Sequence, residues 1–135
     1  MIRLIQFLNE KNHFLEKFYA LNEAQVSHLE AGHYENIERF YNQREDLLNI
    51  IKYIDAEIHK AHNLHKDMSG GEFTEIERAE IRKALGAKEA YVRRILDQDM
   101  QVLALIDEAK SQIIRELKDI GKTRKALNGY RANEV

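Results

Sequence analysis

The sequence predicts an all-α protein, an elongated antiparallel three-helix bundle or coiled coil followed by a short fourth C-terminal helix. Three observations lead to this fold class. The 135 residues include no proline, so no helix is broken by a missing backbone donor. Apolar residues make up 44% of the chain and recur every three or four positions, which is the spacing of one helical face. Only six glycines interrupt this pattern.

The first two helices are predicted over residues 2–31 and 34–65. Gly32 follows the apolar stripe of the first helix and can take the positive φ at which helices stop. Because the turn is short, the second helix is expected to fold back antiparallel to the first. Arg44 falls inside the apolar stripe of the second helix. We expect its aliphatic stem to pack while its guanidinium reaches water or a carboxylate.

The third helix is predicted over residues 74–119, after a Ser-Gly-Gly loop. Thr74 followed by Glu77 is a capping box, in which each side chain accepts a hydrogen bond from the other residue's backbone N–H. Gly86 is a candidate kink, because glycine costs about 1 kcal/mol relative to alanine inside a helix. Gly121 is expected to end this helix.

A short fourth helix is predicted over residues 123–130. It is too short to be stable alone, so it must dock on other residues or fray. The third helix would be roughly 70 Å long at 1.5 Å per residue, whereas a compact chain of this length has a radius of gyration of about 14 Å. The single domain, residues 1–135, is therefore rod-like, bent, or covered by another molecule. Grooves between its helices can accept a further amphipathic helix.

Composition and motifs give no basis for catalysis or for a cofactor. The chain contains no cysteine, and neither a glycine-rich phosphate loop nor a serine nucleophile motif occurs. A net charge of −2 gives no bulk attraction for nucleic acid. No uncharged run approaches the length of a membrane span, and the N-terminus does not resemble a signal peptide. We therefore expect a cytoplasmic protein that is not an enzyme and has neither nucleic acid nor membrane as a partner.

Histidines are the only candidate metal ligands. Glu10 with His13, and Glu30 with His33, have the Glu-x-x-His spacing that di-iron bundles use twice, but the second pair crosses the predicted helix end at Gly32. Three more histidines lie near the end of the second helix: His59, His62 and His65. A solvated helix end accounts for them, because cationic side chains are favoured there. We assign no metal site, and a metal-binding bundle is the least favoured hypothesis.

Four short stretches carry a further likeness. They are, in chain order, Gly32-His33-Tyr34-Glu35 with Ile37, Arg44 with Leu47-Leu48, Ile95-Leu96 with Asp97 and Asp99, and Lys125-Ala126-Leu127 with Tyr130. In order and spacing they resemble the small flagellar export chaperones of the FliT type. Three longer helices and a short fourth one extend this resemblance over nearly the whole chain. The related FlgN-type chaperones are the next best match.

The resemblance implies a cytoplasmic protein that holds a flagellar type III export substrate and brings it to the export ATPase complex. The substrate would be the filament-cap protein, or a hook–filament junction protein if the FlgN-type likeness holds. The short last helix would act as a regulatory cover through Ala126, Leu127 and Tyr130. The partner-binding surface that it covers would include Ile106, Ile113, Leu117 and Ile120.

The alternative hypothesis is a structural or adaptor protein, a homo-oligomeric coiled coil that buries its stripe by self-association, for instance as a homodimer. The apolar register of the third helix favours it, since most steps follow the three-four alternation of a coiled coil. Lys88 and Asp99 occupy register positions and are expected to loosen that seam locally. The basic residues of 122–131 are interpreted as a solvated helix end.

Overall fold

The computed structural model describes residues 2–69 and 71–133, with side chains for residues 2–68 and 71–129. Three α-helices account for most of this part of the chain: α1 (Arg3–Glu30), α2 (Ile37–Ser69) and α3 (Glu75–Asn133). The prediction of an all-α fold in which three helices pack together is confirmed for the described residues.

The turn between α1 and α2 forms where the sequence predicts it. Gly32 has a φ of 79°, and the backbone N–H of His33 donates to the carbonyl of His28 over 2.8 Å. The left-handed glycine therefore ends α1 as expected. α2 begins at Ile37, three residues later than predicted, and extends four residues beyond His65. No glycine or proline occurs between residues 37 and 69 to end it sooner.

The capping box at the start of α3 is confirmed. The backbone N–H of Glu77 donates to Thr74 Oγ1 over 3.1 Å, and the backbone N–H of Thr74 donates to Glu77 Oε1 over 2.9 Å. The hydrogen bond from the Thr74 backbone lowers the pKa of Glu77 from its usual value of 4.5, because it stabilises the carboxylate. Two otherwise unpaired groups of the first turn are thereby satisfied.

The predicted end of the third helix at Gly121 and the separate fourth helix over residues 123–130 are wrong. α3 is one helix of 59 residues that passes through Gly86 and Gly121 without a break. Among the described glycines, only Gly32 and Gly71 have a positive φ. The cost of about 1 kcal/mol for a helical glycine is small beside the propensity of the lysine, arginine, alanine and leucine residues that follow Gly121.

Three hydrophobic clusters along α1 show how the helices run. The first, at the start of α1, contains Leu4, Leu8, Ala61 and Ala84. The middle cluster contains Leu15, Phe18, Ile51 and Ile95. The last contains Val26, Leu29, Phe40, Val102 and Ile106. From the first cluster to the last, the residue numbers of the α2 members fall and those of the α3 members rise. Helix α1 is therefore antiparallel to α2 and parallel to α3.

The bundle is open on one side. α1 packs on both other helices, whereas no Cα atom of α2 lies within 8 Å of a Cα atom of α3 in the part of the chain that the structure describes. We call residues 2–109 the body. Beyond Ala109, every residue of the stretch 110–129 is exposed. We call this stretch the overhang, and at 1.5 Å per residue it is about 30 Å long.

Candidate helix-binding groove

A channel lies between α2 and α3 on the open side of the body, with a volume of about 210 Å³. We call it the groove. Its floor comes from α1 and consists of Leu15 and Phe18. Its α2 wall consists of Leu48 and Ile51, and its α3 wall of Val92, Ile95 and Leu96. These seven residues are apolar. Leu15, Phe18, Ile51 and Ile95 are buried in the middle cluster, whereas Leu48 and Val92 are half-buried and Leu96 is 59% exposed, so the rim of the groove supplies its accessible apolar surface.

Arg44 and Asp99 complete the groove lining and link its two walls. Arg44 Nη2 lies 2.7 Å from Asp99 Oδ2, and Asn22 Nδ2 donates to the other carboxylate oxygen over 3.0 Å. The guanidinium carbon of Arg44 lies 5.3 Å from the centroid of the Phe18 ring. This group, which we call the polar node, joins all three helices through charge-assisted hydrogen bonds.

The sequence predicts a role in packing for Arg44 but not for Asp99, and both residues belong to the polar node. The predicted reach of the Arg44 guanidinium to a carboxylate is confirmed, and the same group also lies over the Phe18 ring. Asp99 was expected only to loosen a coiled-coil seam, but it accepts hydrogen bonds from two other helices. The sequence signal was present, because an Arg and an Asp both interrupt apolar stripes. Only the packing shows that the two interruptions face each other.

Polar side chains also fix α1 against α3. The buried Gln98 donates through Nε2 to the Tyr19 carbonyl over 3.2 Å and to Glu23 Oε1 over 2.7 Å. Nearer the start of α1, Asn12 Nδ2 donates to the Ala84 carbonyl over 2.9 Å. These directional contacts set the register of the two parallel helices, so the α3 wall of the groove has a defined position.

The structure divides the predicted partner-binding residues between two environments. Ile106 is only 2% exposed and packs in the last hydrophobic cluster, so it belongs to the core and not to an accessible surface. Ile113, Leu117 and Ile120 are 43%, 62% and 51% exposed on the overhang. These three side chains lie within two helical turns of one another, but none of them lines the groove.

The predicted cover residues do not lie over the groove of their own chain. Ala126 and Leu127 are exposed parts of α3, which continues away from the body. The side chain of Tyr130 lies outside the described residues. A hinge at Gly121 would be needed to fold this segment back, and α3 is helical there.

The histidines near the end of α2 do not converge. His65 stacks on Phe73 with ring centroids 4.1 Å apart, and its Nε2 atom lies 2.8 Å from the Glu72 carbonyl oxygen. It therefore packs against the turn between α2 and α3, while His59 and His62 are exposed. Within the described side chains, no group of three or more His, Asp or Glu residues is arranged to hold a metal ion.

The overhang differs from the body in charge as well as in exposure. Residues 1–109 contain 14 Lys and Arg against 20 Asp and Glu, a net charge of −6. Residues 110–135 contain 7 against 3, a net charge of +4. The near-neutral total thus hides an acidic body and a basic C-terminal stretch, a separation that sequence reasoning missed although simple counting reveals it.

Compared with known proteins, the chain matches no family model, no curated protein and no solved structure. The FliT-type resemblance accordingly remains a prediction from the sequence. In residues 2–69 and 71–133, no helical stretch has the length and hydropathy that a bilayer crossing requires.

Proposed function

We propose that this chain is a binding protein without catalytic activity, which captures an apolar helical segment of another protein in the groove between α2 and α3. The observation that carries the proposal is the groove itself. Its floor and both walls are apolar, and it is open because α2 and α3 do not close on each other. An amphipathic helix in such a groove is a recurrent mode of protein recognition.

The open side of the body can receive a further helix. No Cα atom of α2 lies within 8 Å of a Cα atom of α3 among the described residues, so these two helices do not pack directly and side chains of a fourth helix can enter between them. A fourth helix would bury Leu48 and Val92, which are half-buried in the free chain, and complete a four-helix arrangement. Burial is favourable by about 25 cal/mol per Å² of apolar surface.

Recognition in the groove rests on apolar contact. Both carboxylate oxygens of Asp99 already accept hydrogen bonds, and Arg44 is paired with that carboxylate. The charge of Asp99 is thus paired within the chain, so the groove needs no charged group from the partner. A partner helix is therefore selected by its apolar face, and its side chains must fit beside Arg44 and Asp99.

The class that we propose is a cytoplasmic flagellar type III export chaperone of the FliT type. Its substrate would be the filament-cap protein, or a hook–filament junction protein for the FlgN-type variant, and it would deliver this substrate to the export ATPase complex. Two of the four stretches behind the resemblance supply Arg44 and Asp99, which form an ion pair beside the groove. This proximity supports treating the stretches as parts of one site.

Titration calorimetry with a synthetic C-terminal helical peptide of a filament-cap protein tests the proposal. We expect one peptide per chain and a negative heat-capacity change, because apolar surface is buried. Leu48→Glu places a charge in the groove wall and should abolish detectable binding. Leu64→Glu makes the same change at an exposed position of α2 outside the groove and should bind as the natural chain does.

The export class and the binding mode can fail separately. A hook–filament junction peptide that binds in place of the cap peptide would move the assignment to the FlgN type. If neither peptide binds while circular dichroism shows an intact helical fold, the export assignment is rejected. Equal losses in both glutamate variants would instead reject the groove as the binding site.

A further inference from the structure

A second apolar row runs along α3 on a different face from the row that packs on α1. We call it the seam, and it consists of Leu96, Met100, Leu103, Asp107, Lys110, Ile114 and Leu117. Its five apolar members are each more than half exposed. Leu96 and Leu103 each follow a buried residue by one position, so the seam is rotated by about 100° from the buried row.

The spacing of the seam is that of a coiled coil. Its steps alternate strictly between four and three residues, as a and d positions do in a heptad pattern. The seam begins in the body and continues into the overhang without a change of register, because α3 is continuous. A row of this kind is expected to pack against another helix and not to face water over its whole length.

We propose that α3 pairs antiparallel with α3 of a second copy of this chain, along the seam, with the twofold axis between Asp107 and Lys110. This inference goes beyond the proposed function and does not depend on it. The partner on the exposed face of α3 is thus a second copy of the same chain. The contact is isologous, so each contact between two residues occurs twice in the dimer.

The seam is complementary to itself when it is reversed. In an antiparallel pair with the axis at this point, the facing residues are Leu96 and Gly121, Met100 and Leu117, Leu103 and Ile114, and Asp107 and Lys110. Large apolar side chains thus meet one another in two layers on each side of the axis. The only two charged residues of the seam meet as opposite charges, and a salt bridge forms twice per dimer.

The charge of the whole chain favours the same direction. The antiparallel pair lays the overhang of each copy, which is part of the stretch with a net charge of +4, along the body of the other, whose stretch carries −6. A parallel pair would place overhang beside overhang, Asp107 against Asp107 and Lys110 against Lys110. Such like-charge contacts disfavour the parallel arrangement.

The overhang also needs a partner to remain helical. It consists of residues 110–129, and all of them are exposed, so the body buries little of it. Isolated helices of this length are marginal in water even with good helix formers. Pairing along the seam supplies the missing tertiary contact to both copies at once.

The first test measures the mass of the full chain by sedimentation equilibrium from nanomolar to high micromolar concentration. We expect a reversible monomer–dimer equilibrium. Asp107→Lys should weaken dimerisation at least about tenfold, because each dimer then contains two repulsive contacts in place of two attractive ones. The double exchange Asp107→Lys with Lys110→Asp should restore it, and Asp67→Lys, the same change at an exposed position near the end of α2 and away from the seam, should leave it unaltered.

A second test fixes the direction of the pair, using the absence of natural cysteines. Asp107→Cys and Lys110→Cys variants are oxidised separately and then as a mixture. In the antiparallel pair only the mixture forms a disulfide-linked dimer in high yield, since the two positions face each other across the axis. Self-linking of either variant alone at the same yield overturns the proposal in favour of parallel pairing.

Two further outcomes also overturn it. One is a chain that stays monomeric over the whole concentration range. The other is a monomer that sediments with vesicles containing phosphatidylserine, which would make the basic amphipathic overhang a membrane-surface element. Neither measurement involves the export-substrate peptide, so failure here is distinguishable from failure of the proposed function.

Discussion

The two parts of α3 share one helix and one apolar periodicity, yet they have opposite surroundings. Ile106 in the body is 2% exposed, whereas Ile113 and Ile120, which continue the same row at seven-residue intervals, are 43% and 51% exposed. The difference arises from α1, which ends at Glu30 and offers no surface beyond the level of Ala109. A periodic stripe therefore defines a face, while the length of the neighbouring helix decides whether the fold covers it.

The comparison of the body with the overhang also distinguishes residues that stabilise the fold from residues that are available to bind a partner. Residues of the body bury their stripe within the chain and contribute to folding. Residues of the overhang and of the groove rim, Leu48 and Leu96, keep apolar surface available, as a protein that binds other helices requires. Mutations in the two parts should consequently affect different measurements.

The largest expected effect is on the core row itself. Ile106→Ala should lower the free energy of unfolding by about 2–5 kcal/mol, because it removes buried methyl groups and leaves a cavity. Ile120→Ala, the same substitution two heptads later, should change it by no more than about 0.5 kcal/mol. Urea unfolding at a low protein concentration measures both. Comparable losses in the two variants would show that the overhang is packed in solution.

The polar node should give the next largest effect. Asp99→Ala leaves the Arg44 guanidinium and the Asn22 amide without their acceptor, and we expect a loss of about 1–3 kcal/mol in unfolding free energy. Asp97→Ala removes an exposed carboxylate two positions away and should cost about 0.5 kcal/mol or less. If thermal and urea unfolding give the same loss of unfolding free energy for Asp99→Ala and Asp97→Ala, the polar node does not hold the helices together.

The smallest effect concerns the first turn of α3. Thr74→Ala should cost about 1 kcal/mol, because the Glu77 backbone N–H loses its acceptor. Since folding lowers the pKa of Glu77 below 4.5, its contribution to stability is present above pH 4.5 and is lost as the pH falls through the lowered pKa. An NMR titration should find the pKa of Glu77 below 4.5 in the natural chain, and it should stay lowered in the variant because alanine keeps the backbone N–H that is the main cause. A Glu77 pKa that is not lowered in the natural chain would contradict the capping assignment.

Local features were predictable to the extent that local chemistry causes them. The Thr74–Glu77 capping box and the positive φ of Gly32 each follow from a residue and its near neighbours. The prediction that the helix ends at Gly121 was wrong, although it also rested on local chemistry. A glycine permits a helix to end but does not require it, and its neighbours favour continuation.

The candidate site was less predictable because it depends on residues distant in sequence. The groove combines α1, α2 and α3, and the pairing of Arg44 with Asp99 joins positions 55 residues apart. Ile106 was assigned to a partner surface because it lies in the same apolar row of α3 as Ile113, and the prediction took all residues of that row to be equally exposed. Nothing within that row distinguishes Ile106 from Ile113, since the difference comes from where α1 ends.

The amino-acid sequence by itself determined that this protein is helical, where its first turn and the start of α3 lie, and which side chains share a face, because these depend on backbone propensity and on a period of 3.6 residues. Tertiary structure alone decided which of those faces are buried. Burial depends on the presence of a second surface at the right place, and in this chain that surface is α1, which covers the body part of α3 and leaves both the groove and the overhang open.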